Sequence, residues 1–350
     1  MLRKLVRLLV CGLIWAAAAA PLQPVGAAPA AGLGFAPNTP AGGTVGTGPG
    51  TCSEGALTSA LAGGGTVTFN CGGPATILIL SQKTITQATT IDGGGLITIT
   101  GGLATRLFDV NDGVPFTLRS ITLDSANSGA ADGGAISSGG TLTLDRVTIQ
   151  NSETDENHSG GAIFTTGPVT ITNSSLHHNS GGNAGAIFAY GSNAVLRIAD
   201  STVASNQATN GVVLNGGQGG ALWVGPSASA TLINGLWVLN TAEGNGGAVY
   251  NESRLTLQGV TIASNQTALE VNPANGGKGG GIATIGPLTM THSYLTSNKS
   301  RYGGGLFVGE APRLCWRRSM TRPSSSTGSS NQAAACTPAP TRPCCSSARR

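Results

Sequence analysis

The sequence predicts an all-β chain, a single-stranded right-handed parallel β-helix of about nine or ten coils behind a short N-terminal capping helix. Three observations carry this expectation. First, Gly133-Gly134-Ala135-Ile136 recurs as Gly160-Gly161-Ala162-Ile163, Ala184-Gly185-Ala186-Ile187, Gly219-Gly220-Ala221-Leu222, Gly246-Gly247-Ala248-Val249, Gly279-Gly280-Gly281-Ile282 and Gly303-Gly304-Gly305-Leu306. The steps between copies are 27, 24, 35, 27, 33 and 24 residues, a quasi-periodic array with insertions. Second, 55 glycines in 350 residues, with 10% charged and 4% aromatic residues, allow a long aliphatic core but not long helices. Third, short β-rich runs alternate with Gly, Asn, Ser and Asp turns from Thr66 onward, with no helical periodicity between them. Parallel strands normally need a helical crossover, but a coil of three short strands sets each strand beside its copy one turn later without one.

Taken in order, residues 1–30 read as a signal peptide: Arg3, Lys4 and Arg7 precede an apolar run from Leu8 to Ala20, then small residues. That run is shorter than the roughly 20 residues a membrane helix needs, which disfavours an uncleaved membrane helix, and no second hydrophobic span follows it, so no membrane span is expected after its removal. Residues 31–50 are Gly, Pro, Ala and Thr and read as a flexible leader. Ser53 is placed to cap a helix through Ala62, with Leu57 and Leu61 one turn apart; such a helix would cover the raw apolar end of a strand stack. Cys52 and Cys71 flank this unit, and in an exported chain they are expected to form a disulfide. The β-helix with its cap is assigned to 51–312.

Within the coil that starts at Gly246, Ala248 to Asn251, Leu255 to Leu257 and Val260 to Ile262 read as three strands. Three residues after an apolar strand residue stand Asn179, Asn206, Asn240, Asn265 and Asn298. Asparagine tolerates left-handed backbone and bonds neighbouring amides, so these are expected to stack as a structural ladder along one corner. Asn151 arrives one residue early, and Ala126 takes the place in the coil before it. The glycine pairs are expected to make tight corners with positive φ and close stacking between coils. A phosphate cradle is disfavoured because a strand, not a helix, follows each pair and no GK[ST] is present.

The Gly-Gly-Ala-Ile repeats, each followed by a Ser/Thr-rich strand and an Asn, resemble the polymorphic outer membrane protein repeats of chlamydial surface proteins. More widely, Thr89-Thr90-Ile91-Asp92-Gly93-Gly94-Gly95 and Gly139-Gly140-Thr141-Leu142-Thr143-Leu144 look like coils of secreted bacterial β-helix proteins with the pectate-lyase-like fold. The resemblance spans roughly residues 51 to 310. It implies the fold and a secreted or cell-surface (outer-membrane-associated) bacterial protein, while function stays open among adhesins, autotransporter passengers and polysaccharide-degrading enzymes. Chlamydial members end in a membrane-embedded barrel that has no counterpart here. Residues 313–350 instead become rich in Arg, Ser, Pro and Cys. That basic tail reads as a disordered or wall-associating segment, or as a stretch in a shifted reading frame, which would make the chain a truncated surface-protein fragment.

The formal charge of +4 does not point to nucleic acid. Residues 31 to 312 hold all 15 acidic residues but only 9 of the 19 basic ones, so the repeat region carries −6. Enzymes of this fold need carboxylates presented together, to hold calcium or to act as acid and base. The residues after each repeat are Ser137, Phe164, Phe188, Trp223, Tyr250, Ala283 and Phe307, with Glu252 the lone acid near that strand. A lyase or hydrolase is therefore the second expectation, and no catalytic residue is assigned. If the aliphatic residue points inward, strand alternation turns Phe164, Phe188, Trp223, Tyr250 and Phe307 outward as a ladder for glycans or an envelope component. The competing reading buries these rings. Glu153, Asp155, Glu156 and His158 make an acidic loop that offers calcium a set of oxygen ligands, though a solvated insertion suits it better. His177 and His178 lack metal-site spacing, Asp109 and Asp112 suit a turn, and no other cofactor or metal is expected. The expected protein is a monomeric, exported, non-catalytic surface for adhesion.

Overall fold

A computed structural model describes residues 42–209, 216–268 and 277–309. The expected signal peptide and basic tail lie outside the described residues. The described chain is an all-β parallel solenoid of about nine turns with a single short helix. Nine strands of three residues, from Lys83–Ile85 through Ile163–Thr165 to Leu306–Val308, stack in register to form one face. A 16-stranded sheet forms most of the remaining wall, and a four-stranded ladder from Ser180–Gly181 to Gln266–Thr267 closes part of it. This short fourth strand was not foreseen. Two expected strands on the large sheet are also continuous in the early coils, as Thr89–Thr100, Pro115–Asp124 and Thr141–Gln150.

The two glycines of each repeat have separate jobs. The first carries positive φ, for example 80° at Gly133, 73° at Gly160 and 66° at Gly219. The second lies against the next coil: a Cβ on Gly220 would stand 2.1 Å from the Gly247 carbonyl oxygen. The aliphatic residue that follows then points into the core, where Ile136, Ile163, Ile187, Leu222, Val249 and Ile282 are all fully buried. Each in-register neighbour is another aliphatic, so the interior is a continuous column rather than a set of isolated contacts.

Asn179, Asn206, Asn240, Asn265 and Asn298 form the expected ladder. From Asn206 onward the Oδ1 of each accepts from both the backbone N–H and the Nδ2 of the asparagine one coil earlier, at 2.9–3.0 Å. Each Nδ2 also donates to a strand carbonyl, such as Asn240 to Val203. The reason for asparagine differs from the expectation, however. The left-handed residue is the one before it: His178, Ser205, Leu239, Ser264 and Ser297 have φ between 54° and 60°. Asparagine stands here for its amide, which turns a corner's orphan N–H inward onto an acceptor. The ladder continues through Ser152, whose N–H donates to Asn179 Oδ1, while Asn151 takes the left-handed place.

At the N-terminal end the helix Glu54–Leu61 starts on Ser53, whose side chain accepts from the Ala56 N–H. Leu57 is fully buried, Ala60 shares the buried face, and Leu61 is half-buried against the core. Lys83 occupies an inward position on the first strand of the nine-strand face; its Nζ reaches Glu54 Oε1 at 2.6 Å and Ser81 Oγ at 2.9 Å. Hydrogen bonds from Lys83 and Ser81 hold the Glu54 carboxyl down to about 2. The Cys52–Cys71 disulfide ties the cap to the end of the next strand. The flexible leader assigned to 31–50 needs correction over its last part: Thr44–Val45 pairs in parallel with Thr68 and Phe69. Val45, alone among glycines and threonines, is fully buried, and that burial orders the segment.

Candidate binding face

From Lys83–Ile85 to Val249–Asn251 each short strand of the nine-strand face buries its first and third residues and turns the second outward. Register therefore sets Phe164 beside Phe188, Phe188 beside Trp223, and Trp223 beside Tyr250. Their ring centroids are 5.7, 4.7 and 5.8 Å apart, with interplanar angles of 44°, 34° and 67°. All four are half-buried, because each ring shields its neighbours while its outer part meets solvent. The two expectations, exposed or buried, thus meet halfway. Ala283 interrupts the row, and Phe307 lies one coil beyond with Lys278 Nζ 5.3 Å from its ring centre. Four of the five expected rings are brought together and the fifth is set apart.

Two residues that join this row were not singled out as binding residues. Tyr190 and Glu252 each sit two residues after a ladder ring, on the same outward side of the strand. The Tyr190 ring centre is 6.1 Å from that of Phe188, and the residue is 49% exposed. The Gly225 N–H donates to the Ala189 carbonyl and the Glu252 N–H to the Val224 carbonyl, both at 2.9 Å. These bonds carry the parallel register past the strand ends and line up Tyr190, Gly225 and Glu252 in successive coils. Burial pushes the Glu252 carboxyl up, against the opposing pull of Trp223 and Tyr250. The Tyr250 hydroxyl is pushed up to about 12 by burial first, then by the charge and hydrogen bonding of Glu252. The Trp223 Nε1 is buried and meets no acceptor at full hydrogen-bond geometry. Repeat register already implied this trio: the residue two past Tyr250 is Glu252, and its counterpart two past Trp223 has no side chain.

An open groove of about 770 Å³ runs along the same corner, lined by Asp112, Gly139, Gly140, Thr166, Gly167, Tyr190 and Asn193. Tyr190 belongs to both the groove and the aromatic row. Asp112 lies against Gly139, where an added Cβ would stand 1.8 Å from its Oδ1. Asp109 is the one carboxylate on the ladder's own column, beside Arg106 at 3.9 Å. Five strand steps separate it from Tyr250, about 24 Å at 4.8 Å per step. A retaining or inverting glycosidase holds its two carboxylates about 5–9.5 Å apart, so Asp109 and Glu252 do not make such a pair.

The other candidates are spread over the molecule. In the acidic loop Glu153 accepts from Asn127 Nδ2 at 2.8 Å, and Asp155 from His158 Nδ1 and the Asn157 N–H. Two of its three carboxylates are thus turned onto the protein itself, while Glu156 is exposed. His177 and His178 face each other with Nδ1 atoms 2.8 Å apart. Among the described residues no three His, Cys, Asp or Glu side chains converge as a metal site, and no helix is long and apolar enough to cross a membrane. Compared with known proteins, the chain matches no family model, no curated sequence and no solved structure.

Proposed function

We propose that this chain is an exported, non-catalytic β-solenoid whose aromatic row holds surface or envelope glycans, so that the rigid body serves adhesion. The observation that carries the reading is the contiguous row Phe164, Phe188, Trp223 and Tyr250, held in register by backbone pairing. Ring faces offer a sugar an apolar platform, and a solenoid repeats that platform about every 4.8 Å without a mobile part. Export is supported by the Cys52–Cys71 disulfide, a bond that persists in oxidising compartments. The resemblance to polymorphic outer membrane protein repeats rests on the motif residues alone and agrees with a surface role. The W223A/Y250A double variant should lose glycan-array binding at least tenfold, on the order of the 1.4 kcal/mol such a factor represents, with the far-UV spectrum unchanged. Unaltered binding by a folded double variant would remove the proposal.

One observation favours a second reading, a polysaccharide lyase or glycoside hydrolase. Glu252 is half-buried beside aromatic rings and its carboxyl is pushed up by burial, as in a general acid. Incubation with polygalacturonate, with and without calcium, separates the two: chain cleavage that disappears in E252Q would replace the adhesive reading by the enzymatic one.

A further inference from the structure

We propose that the groove over Gly140 and Gly167 is a second sugar subsite, in which Tyr190 stacks on a pyranose ring while Asp112 and Asn193 bond its hydroxyls, so that this face selects uncharged polysaccharides over polyuronates. The inference rests on the glycan-binding reading and adds to it the course of the chain and its charge class.

The groove crosses four successive coils. Asp112 follows the strand Phe108–Val110, Gly140 follows Ile136–Ser138, Thr166 and Gly167 follow Ile163–Thr165, and Tyr190 and Asn193 follow Ile187–Ala189. Those strands pair in register, so the groove runs along the solenoid axis for three strand steps, about 14 Å at 4.8 Å per step. Its floor is bare main chain. A Cβ on Gly140 would stand 2.0 Å from the Val114 oxygen, and one on Gly167 would stand 2.2 Å from the Gly140 oxygen, so neither position admits a side chain. Asp112 stands at one end, Tyr190 and Asn193 at the other, with Thr166 between. The Tyr190 N–H donates to the Thr165 carbonyl at 3.0 Å, which fixes the residue against the preceding coil. Its ring centre lies 6.1 Å from that of Phe188, and Phe188 lies 4.7 Å from Trp223, so the ring at the end of the groove continues the aromatic row. A chain laid from Tyr250 through Tyr190 to Asp112 covers five strand steps, about 24 Å.

The polar groups along this groove are not used by the fold. The corner's own main chain is served from inside: Ser138 Oγ donates to the Gly140 oxygen at 3.2 Å, while Thr165 Oγ1 donates to the Gly167 oxygen at 2.9 Å and accepts from the Gly167 N–H at 3.1 Å. Among the described residues the side chains of Asp112, Thr166, Tyr190 and Asn193 make no hydrogen bond within the protein. Asp112 and Asn193 are exposed and Tyr190 is 49% exposed, so all three meet whatever enters. A carboxylate accepts charge-assisted bonds from neighbouring hydroxyls, an amide both donates and accepts, and a ring face receives the apolar side of a pyranose. Together they suit an uncharged sugar rich in hydroxyls. A uronate would instead bring its carboxylate to Asp112, with no basic residue in the groove lining to offset the repulsion. The body from 31 to 312 carries −6 overall, which opposes the approach of any polyanion.

The test is an array of uncharged hexasaccharides and hexagalacturonate, read with the full chain as wild type, Y190A, D112A, D112N and W223A/Y250A, each first shown to be folded by far-UV circular dichroism. The wild type should bind uncharged hexasaccharides about tenfold or more tightly than hexagalacturonate. Y190A and D112A should each weaken the uncharged chains about tenfold, the scale of one ring contact or one charge-assisted bond. D112N keeps an acceptor and the shape of the side chain without its charge, so it should retain most of the uncharged binding and narrow the gap to hexagalacturonate. A merely structural Asp112 would not move that ratio. Hexagalacturonate bound as tightly as the uncharged chains by the wild type overturns the inference. So do Y190A and D112A that both match the wild type while W223A/Y250A loses binding, a result that leaves the aromatic row standing as a glycan site. A wild type that binds no glycan removes the glycan reading and this inference together.

Discussion

Replacing Asn240 tests the asparagine ladder at its most enclosed rung. The side chain is fully buried and makes four hydrogen bonds: its Oδ1 accepts from the Asn206 N–H and Nδ2, and its Nδ2 donates to the Val203 oxygen and Asn265 Oδ1. In N240A the Asn206 N–H loses its acceptor inside the protein, at about 1–3 kcal/mol for a buried orphan. Asn206 Nδ2 keeps the Leu176 carbonyl, and Asn265 Oδ1 keeps the Asn240 N–H. With the three remaining lost bonds at about 1 kcal/mol each, the expected total is about 4–6 kcal/mol. N240D discriminates between volume and chemistry. Its shape is unchanged and one oxygen still accepts from Asn206, but the other faces two acceptors, Val203 O and Asn265 Oδ1. The ionised form is disfavoured, so the folded-state pKa lies above the unfolded value of about 3.9. An acid with a raised folded pKa costs least below its unfolded pKa and progressively more as pH rises through the folded one. Urea unfolding followed by far-UV circular dichroism at neutral and at acid pH measures both effects. An N240A cost below about 1 kcal/mol, or an N240D cost independent of pH, would refute the claim that the ladder's amide bonding holds the corner.

Two further substitutions probe other parts of the coil. E54Q removes the charge that neutralises the inward Lys83 and should destabilise the cap by about 1–2 kcal/mol at neutral pH, below the full pKa-linked ceiling because Glu54 stays partly in contact with solvent. The Glu54 carboxyl is depressed on folding, so its contribution is complete above the ordinary glutamate pKa and lost as pH falls toward about 2; wild-type and E54Q denaturation midpoints should converge over that interval. Leu239 holds φ at 60° while 56% exposed, a conformation that asparagine adopts more readily, so L239N should raise the denaturation midpoint by about 0.5–1 kcal/mol in stability.

The parts of this fold that could be read from the chain are those repeated with the coil. Gly133 and its copies, the aliphatic residue three places on, and the asparagines each mark a column whose members meet their own kind one turn later. What escaped reading depends on a single rung or on a partner far along the chain. Ser152 continues the ladder because a hydroxyl also accepts from a backbone N–H, and serine is too common in turns to announce it. Ser174, Ser201 and Ser293 accept backbone N–H groups at a second corner for the same reason. Lys83 gave no sign of pointing inward, since its counter-ion lies 29 residues earlier, on the cap. The Thr44–Val45 strand is too short for any period to show. At the binding face the rings were legible from phase, whereas the place of Glu252 beside Trp223 and Tyr250 follows only once neighbouring coils are set in register.

These columns also separate what the fold demands from what it leaves free. The corner glycines answer to backbone distance, the inward aliphatics to packing, and the asparagines to unpaired N–H groups; a change in any of them disturbs two neighbouring coils. The outward residue one place past the aliphatic answers to none of these, and Ser137, Ala283 and five aromatic residues all occupy it on an unbroken strand ladder. Aromatic pairs return about 0.5–1.5 kcal/mol each beyond buried area, which accounts for a preference but not for tolerance of serine and alanine in the same column. The column two places past the aliphatic residue's neighbour is freer still, since it runs Tyr190, Gly225, Glu252 and Ile285. Chemistry that varies from coil to coil on a backbone that does not vary is where a ligand can be recognised, and the Trp223, Tyr250 and Glu252 cluster is the place where both free columns turn polar and aromatic together.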